Sequence, residues 1–129
     1  ARAQGWALTT VESTPDAVEL ARRSTRKAGL TGVQFVQGDA LKVADALARE
    51  GQRFDALLLD PPRAGARGVA AVAAKTGVRR VVYVSCDPAT LARDLKDLAA
   101  AGFVAHEATP VDMFPQTFHL ESVVVLEKR

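Results

Sequence analysis

The sequence predicts an α/β fold in a single globular domain, residues 1–129, whose sheet is mostly parallel and has an antiparallel C-terminal edge. Two observations predict it. Apolar runs of strand length alternate with segments whose apolar residues recur at helical spacing, which is the pattern of β-α-β units. In the last third, two strand-like runs follow each other without a helix between them, which is typical of antiparallel neighbours.

The first half of the chain contains two strand–helix units. The predicted elements are a strand over 6–11, a helix from Pro15, a strand over 33–36 and a helix over 43–50. Ser13 or Thr14 is the expected cap of the first helix, because both side chains accept hydrogen bonds from free N–H groups. Pro15 fits the first turn, and Gly29 ends the helix because glycine adopts the left-handed conformation there.

The second half repeats this alternation before the pattern changes. The predicted elements are strands over 56–59, 81–84, 103–109 and 122–127, a helix over 69–75, and a helix that Gly102 ends. Asp87 is the expected cap of this last helix, and Pro88 fits its first turn. Leu91, Leu95 and Leu98 form its expected buried stripe.

Composition excludes several classes of protein. A content of 48% hydrophobic and 25% charged residues is typical of a globular domain, and the net charge of +2 permits contact with nucleic acid without requiring it. One cysteine excludes an internal disulfide or a multi-cysteine metal or iron–sulfur site within this chain. No apolar run is long enough to cross a bilayer and no secretory signal is evident, so the expected location is the cytoplasm, without membrane contact.

The single cysteine, Cys86, follows the apolar strand 81–84 and precedes a helix start. Ligands of open α/β sheets bind at the carboxyl ends of strands, so a thiol at this position lies at the rim of a crevice. A helix N-terminus favours the thiolate, which is the nucleophilic form of cysteine. The alternative is a small buried core cysteine. The residues around Cys86 favour the nucleophile.

Three acidic residues also lie at the ends of predicted strands, namely Glu12, Asp39 and Asp60. A carboxylate at such a position commonly accepts hydrogen bonds from ribose hydroxyls, which suits Glu12, and Asp39 is a candidate partner for an adenine amino group. The alternative for each residue is a helix cap or a loop charge. For Asp39 considered alone that alternative is favoured, because Gly-Asp is a common turn pair.

Asp60 also begins a rigid corner, Asp60-Pro61-Pro62-Arg63. Two prolines fix the backbone just beyond a buried strand and remove two N–H donors. The corner can therefore hold a carboxylate and carbonyl groups toward a substrate. A plain turn at the exit of a strand is the alternative.

The loop before the last strand combines Phe114, Phe118, His119 and Glu121. Aromatic side chains stack on unpaired bases, which is the usual way in which proteins read single-stranded RNA. Glu121 is a candidate general base, and His119 is a candidate base or orienting group. The alternative places both phenylalanines in the core, His119 against backbone and Glu121 in solvent.

Three runs together resemble the RNA uridine-5-methyltransferase family, which uses S-adenosylmethionine. They are Asp-Pro-Pro-Arg-Ala-Gly at 60–65, Val-Ser-Cys-Asp-Pro-Ala-Thr-Leu-Ala-Arg-Asp at 84–94, and Asp-Met-Phe-Pro-Gln-Thr-Phe-His-Leu-Glu-Ser at 112–122. Their order and spacing also fit, so the resemblance covers nearly the whole chain. The last run is most similar to the branch that modifies 23S ribosomal RNA, and the tRNA-modifying branch is the close alternative.

The resemblance implies methyl transfer from S-adenosylmethionine to carbon 5 of a uridine in RNA. It implies that Cys86 is the nucleophile, which adds to carbon 6 of uracil, and that Glu121 is the base. The same resemblance implies that Glu12, Asp39 and Asp60 bind the cofactor.

The expected substrate contacts are Arg63, Phe114, Phe118 and His119, and no metal is expected. A uridine inside folded RNA must be swung out of its stack, and one of the two phenylalanines is the candidate to receive or replace it. Asp87 departs from the family pattern, in which asparagine is the more common residue.

The fold that the resemblance implies is the Rossmann-like fold of class I methyltransferases. Such enzymes begin with a strand and a glycine-rich loop, and nothing before Trp6 supplies either. We therefore expect the C-terminal portion of a catalytic domain, with little activity of its own. The absent strand leaves a gap between the strands that end at Glu12 and Asp60, so we expect those strands to pair directly or the chain to self-associate.

Two other functions remain open at this point. Amino-group methyltransferases carry a similar Asp-Pro-Pro followed by an aromatic residue, and both Arg63 in that place and an unemployed Cys86 disfavour this reading. A non-catalytic nucleotide- or RNA-binding module is the other alternative, and for it Cys86 is dispensable.

Overall fold

The computed structural model describes residues 5–113, 115–117 and 120–129. Its elements, in chain order, are β1 (Leu8–Glu12), α1 (Pro15–Lys27), β2 (Val33–Gln37), α2 (Ala40–Arg49), β3 (Ala56–Leu59), α3 (Val69–Thr76), β4 (Arg80–Ser85), α4 (Pro88–Ala100), β5 (Phe103–Val111) and β6 (Glu121–Lys128). Strand and helix alternate as far as α4 and two strands follow, which confirms the predicted α/β class. The described residues divide into two compact units at the Ala46–Leu47 bond.

The first unit contains β1 and β2 as a parallel pair, in register from Leu8 opposite Val33 to Glu12 opposite Gln37. Pro15 occupies the first turn of α1, as predicted. Thr14 is the N-cap of that helix, but its side chain makes no capping hydrogen bond. Oε1 of Glu12 instead accepts from the N–H of Thr14 itself, at 2.8 Å, and from the hydroxyl of Ser13.

The second unit is a four-stranded sheet in the order β3-β4-β6-β5. β3 and β4 are parallel, whereas β6 lies between β4 and β5 and is antiparallel to both. This confirms the antiparallel C-terminal edge. The core of this unit consists of the buried side chains Leu59, Ala66, Val69, Val72, Ala73, Val78, Val81, Tyr83, Leu91, Leu98, Phe103, Val124 and Leu126.

Two predicted details differ in the structure. α2 begins at Ala40 rather than at Val43, because the side chain of Asp39 caps its first turn. The buried stripe of α4 passes through Asp94, which has no solvent exposure, whereas Leu95 is only half-buried. Asp94 lies three residues after Leu91 and four before Leu98, so it occupies the centre of the stripe.

β1 and β3 belong to different sheets in the part of the chain that is described. The expectation that these two strands pair directly is therefore wrong, and self-association stays a prediction. None of the helices in the described ranges has the length and apolar character that crossing a membrane requires.

Candidate active site

Cys86 lies between the end of β4 and the start of α4, and its side chain is a free thiol of intermediate exposure. The flanking residues form a tight turn. The backbone N–H of Asp87 donates to Oγ of Ser85 at 3.1 Å, and that hydroxyl donates to the carbonyl oxygen of Asp87 at 3.0 Å. The backbone around the thiol is thus fixed on both sides, and the thiol is accessible rather than enclosed in the core.

The first turn of α4 is capped as the sequence predicted. Oδ1 of Asp87 accepts a 2.8 Å hydrogen bond from the backbone N–H of Thr90, and Pro88 occupies the first helical position. That backbone hydrogen bond is the main reason why the pKa of Asp87 is lowered, and the positive charge of Arg63 lowers it further. Cys86 therefore precedes a well-formed helix N-terminus, whose partial positive charge favours an anion.

Glu121 lies at the end of β6 that pairs with the end of β4 nearest Cys86. The antiparallel register runs from Arg80 opposite Glu127 to Ser85 opposite Ser122, so Cys86 and Glu121 each adjoin the last pair. Glu121 is the first residue of β6, and its side chain is half-buried. A thiol and a carboxylate from distant parts of the sequence therefore lie at the same end of adjacent strands.

Asp60 lies at this same end of the sheet. β3 and β4 are parallel and in register, with Leu59 opposite Tyr83, so Asp60 follows β3 where β4 approaches Cys86. The Asp60 side chain is exposed, as is that of Arg63 at the end of the proline corner. Within the second unit, the structure thus brings Asp60, Cys86 and Glu121 to one edge.

The loop after Asp60 is bound by three residues of α4, Thr90, Arg93 and Asp94, which we call the loop clamp. The hydroxyl of Thr90 donates to the carbonyl oxygen of Arg63 at 2.9 Å, and Nη2 of Arg93 donates to that of Ala64 at 2.9 Å. The backbone N–H of Ala66 in turn donates to Oδ2 of Asp94 at 2.6 Å, and the Arg93 guanidinium also bonds Asp94 through Oδ1. The loop is therefore fixed to the helix that begins just after Cys86.

Tyr83 completes the surroundings of Asp94. Its hydroxyl donates to Oδ2 of Asp94 at 2.6 Å, and the N–H of Ala66 also approaches the Tyr83 oxygen, at 3.1 Å. Burial alone would raise the pKa of Asp94, but hydrogen bonds from Tyr83, Ala66 and Arg93 outweigh it and the pKa is lowered. Burial, and then the bond to Asp94, raises the pKa of Tyr83. The amino-acid pattern did not predict this buried group, although Asp94 lies on the buried stripe of α4 between Leu91 and Leu98.

In the first unit, Glu12 and Asp39 follow neighbouring parallel strands, and the N–H of Gly38 donates to the carbonyl of Glu12 at 3.0 Å. Oε1 of Glu12 accepts from the N–H of Thr14 at 2.8 Å, which is the main cause of its lowered pKa. Oδ1 of Asp39 accepts from the N–H of Lys42 at 2.9 Å. Both carboxylates therefore act as local caps, as the alternative interpretation held, and both remain exposed for additional donors.

Three predicted site residues, Phe114, Phe118 and His119, lie outside the residues that the structure describes. Their described neighbours Met113 and Leu120 have exposed side chains. Over the described ranges, no group of three or more histidine, cysteine, aspartate or glutamate side chains is arranged to hold a metal ion.

Comparison with known sequences gives a family match over most of the chain. Residues 13–129 match the family model described as tRNA (uracil-5-)-methyltransferase. An uncharacterized RNA methyltransferase of Halalkalibacterium halodurans is 47% identical over 118 residues, which are 91% of this chain and 26% of that protein. The 23S rRNA (uracil(1939)-C(5))-methyltransferase RlmD of Klebsiella pneumoniae is 45% identical over 119 residues, 92% of this chain and 27% of its own. The chain thus spans about a quarter of the length of these curated relatives.

Comparison with solved structures confirms the Rossmann-like fold that the sequence predicted. The tRNA (uracil-54, C5)-methyltransferase of Pyrococcus abyssi, solved with S-adenosyl-L-homocysteine, has a TM-score of 0.78 and 31% identity, over 96% of this chain and 29% of that one. A SAM-dependent methyltransferase of Agrobacterium tumefaciens has a TM-score of 0.73 at 14% identity, over 98% of this chain and 50% of that one. The second match concerns the fold alone.

Proposed function

Because the chain belongs to the tRNA (uracil-5-)-methyltransferase family, we propose that it carries the nucleophile and the base of an enzyme that methylates carbon 5 of a uridine in RNA. Residues 1–129 then form the C-terminal portion of the catalytic domain. The observation that supports the proposal is the register of β4 and β6, which ends with Ser85 opposite Ser122, so that Cys86 and Glu121 each adjoin the last pair at one end of the sheet. A nucleophile and a base must flank one reacting ring, and two adjacent strand ends supply both groups.

Cys86 and Glu121 perform complementary steps in this proposal. The Cys86 thiolate adds to carbon 6 of uracil, and the electron pair of the double bond moves to make carbon 5 nucleophilic. S-adenosylmethionine, when bound, supplies the methyl group that carbon 5 receives. Glu121 then removes the proton from carbon 5, the carbon 5–carbon 6 double bond re-forms, and the sulfur leaves as thiolate.

The acidic residues at the strand ends fit the nucleoside part of this cofactor. Glu12 and Asp39 are exposed carboxylates at neighbouring strand ends of the first unit, and each retains acceptor capacity beyond its capping bond. Glu12 is assigned to the ribose hydroxyls and Asp39 to the adenine amino group. The family resemblance also assigns Asp60 to the cofactor.

The RNA side is assigned to Arg63, Phe114, Phe118 and His119. Arg63 has an exposed guanidinium, which donates to phosphate or carbonyl oxygens. The phenylalanines offer faces on which an extruded base stacks. A 23S ribosomal RNA is the proposed substrate, because the relative named for that RNA shares 45% identity, whereas the tRNA enzyme of known structure shares 31%.

Trapping with RNA that contains 5-fluorouridine tests this proposal in the full-length protein. Fluorine at carbon 5 cannot be removed as a proton, so the bond between Cys86 and carbon 6 persists after methyl transfer and survives denaturing electrophoresis. We expect such an adduct with a fluorinated 23S fragment and S-adenosylmethionine, and none with Cys86→Ala. Glu121→Gln should still form the adduct but lose at least about a hundredfold in turnover on ordinary RNA.

Glu127→Gln is the matched control, because Glu127 lies at the opposite end of the same strand. It should turn over like the unchanged enzyme. An adduct that forms with fluorinated tRNA but not with the 23S fragment would indicate that the substrate is tRNA. Methylation of an amino group without an adduct would indicate the amino-group reaction, and RNA binding unaffected by Cys86→Ala without methylation would indicate a non-catalytic module.

A further inference from the structure

Asp94 is a fully buried carboxylate for which the proposed reaction has no use. Its two oxygens accept hydrogen bonds from Tyr83, from the N–H of Ala66 and from Arg93. Burying a charge is unfavourable unless it is fully paired, and the donors that pair with Asp94 come from three different segments. What Asp94 fixes is the loop that carries Arg63.

We propose that Asp94 is a positioning residue, which acts with Thr90 and Arg93 to hold Arg63 beside the start of α4, next to Cys86. Arg63 is thereby placed where its guanidinium meets the phosphate or a carbonyl oxygen of the nucleotide that Cys86 attacks. This role in catalysis rests on the proposed function. The geometry of the clamp does not depend on it.

The loop clamp binds three main-chain atoms within four consecutive residues. The carbonyl oxygens of Arg63 and Ala64 and the N–H of Ala66 each meet a different side chain of α4. A shift of the loop along or away from the helix would break at least one of these bonds. The loop and the helix therefore move together, and Arg63 keeps its place relative to Cys86.

Gly65 shows how closely the loop approaches the clamp. Its φ is +75°, and a Cβ atom there would lie 2.5 Å from Oδ2 of Asp94 and 2.5 Å from Nη2 of Arg93. No side chain fits at this position unless the clamp moves. The glycine at position 65 therefore permits the close approach of the loop to Asp94 and Arg93.

The positive charge of Arg63 acts weakly on Asp87 at the start of α4. The pKa of Asp87, the residue that follows Cys86, is lowered mainly by hydrogen bonds from Thr90, and the charge of Arg63 is the smallest contribution. The same charge attracts an anion that approaches the Cys86 sulfur. A reagent that carries a negative charge therefore reports the position of Arg63.

Alkylation of the 129-residue chain measures this effect, because Cys86 is its only cysteine. The quantity is the ratio of the second-order rates with iodoacetate, an anion, and with iodoacetamide, a neutral reagent of similar size. We expect Arg63→Gln to lower this ratio about threefold, as loss of one nearby partly screened charge should. Asp94→Asn should lower it by a similar factor, and the double variant no further.

The sign of the change separates positioning from simple charge loss. Asp94→Asn removes a negative charge, which by itself would raise the rate with the anion and hence the ratio. Asp97→Asn is the control, because it removes the same charge from an exposed position of the same helix. Its ratio should stay equal to that of the unchanged chain or rise slightly.

A merely structural role of Asp94 would leave the ratio unchanged, because loosening of the fold exposes Cys86 to both reagents alike. Thr90→Val provides a second test without touching the buried charge. It removes the hydrogen bond to the Arg63 carbonyl and should lower the ratio by a smaller factor. Ratios in Asp94→Asn and Thr90→Val that match Asp97→Asn would overturn the proposal. A lowered ratio in an enzyme that forms no adduct with 5-fluorouridine RNA would support the positioning of Arg63 and overturn the proposed function instead.

Discussion

The hydroxyl oxygen of Tyr83 lies 2.6 Å from Oδ2 of Asp94, and neither side chain has any solvent exposure. Tyr83 belongs to β4 and Asp94 to α4, so this bond joins the strand that precedes Cys86 to the helix that follows it. The N–H of Ala66 donates to the same carboxylate oxygen. One buried group thereby connects three segments of the candidate site.

Tyr83→Phe should destabilise the chain by about 1–3 kcal/mol, because it removes a hydrogen bond to a buried charge and leaves the remaining donors in place. Asp94→Ala should have the larger effect, about 3–5 kcal/mol, because it leaves Tyr83 and the Ala66 N–H without their acceptor. Urea unfolding followed by circular dichroism measures both. A Tyr83→Phe midpoint equal to that of the unchanged chain would show that this bond does not contribute.

Stability should also fall on the alkaline side. The pKa of Tyr83 is raised in the folded chain, so its contribution is fully present below the unfolded pKa of about 10 and is lost as pH rises through the folded value. We expect urea midpoints measured from pH 8 to 11 to decline above about pH 10. Tyr83→Phe should lack the part of the decline that is due to Tyr83. Parallel curves for the two chains would contradict the assignment.

Gly65→Ala should destabilise the chain by more than the strain of its left-handed backbone alone. Gly51 is a matched control, because its φ of +83° is similar but nothing lies within 4 Å of a Cβ placed there. Gly51→Ala should lose about 1 kcal/mol from backbone strain. Gly65→Ala should lose about 1–3 kcal/mol more, because the added methyl displaces the loop clamp. If urea unfolding shows that both variants lose the same free energy of unfolding, the loop clamp accommodates the added methyl group without cost.

Asp87→Ala should destabilise the chain through loss of the helix cap, whereas Asp87→Asn should change its stability little because asparagine caps equally well. The pKa of Asp87 is lowered, so the contribution of its charge is present above the unfolded pKa of about 4 and is lost as pH falls through the folded value. The difference between Asp87 and Asp87→Asn should therefore shrink in acid. Urea midpoints at pH 7 and pH 3 measure this difference. A difference that is larger at pH 3 than at pH 7 would contradict the prediction.

Self-association of the chain should depend on β3. This strand lies at one end of the four-stranded sheet, and the Leu58 side chain is 70% exposed on it. An apolar edge strand is a template for pairing with another chain, and a lysine on such a strand opposes that pairing. Leu58→Lys should shift sedimentation profiles toward monomer at concentrations where the unchanged chain associates. Met113→Lys, which changes another exposed apolar residue outside the sheet, should have little effect.

The sequence predicted those elements whose signals are local. β3 was predicted with its observed bounds, because its apolar run ends at an aspartate and two prolines that cannot continue a strand. The start of α4 was predicted because Asp87 and Pro88 are both typical of a first turn. The antiparallel edge followed from two strands joined without a helix.

Contacts between residues that are far apart in the sequence could not be predicted from local signals. A carboxylate in a helix is usually exposed, and the burial of Asp94 depends on donors from Tyr83 and Ala66 in other segments. The expectation that Cys86 and Glu121 lie together came from the family resemblance alone and stays a prediction, because strand register is set by the packing of both faces. The three predicted residues of the loop before β6 lie outside the described part and remain predictions.

The position of β6 between β4 and β5 also has a consequence for biosynthesis. Both of its neighbours leave the ribosome before it does, so a nascent chain holds two strands whose shared partner has yet to be translated. During that interval β4 and β5 lack the strand that lies between them, and the four-stranded order is completed only after β6 has been translated.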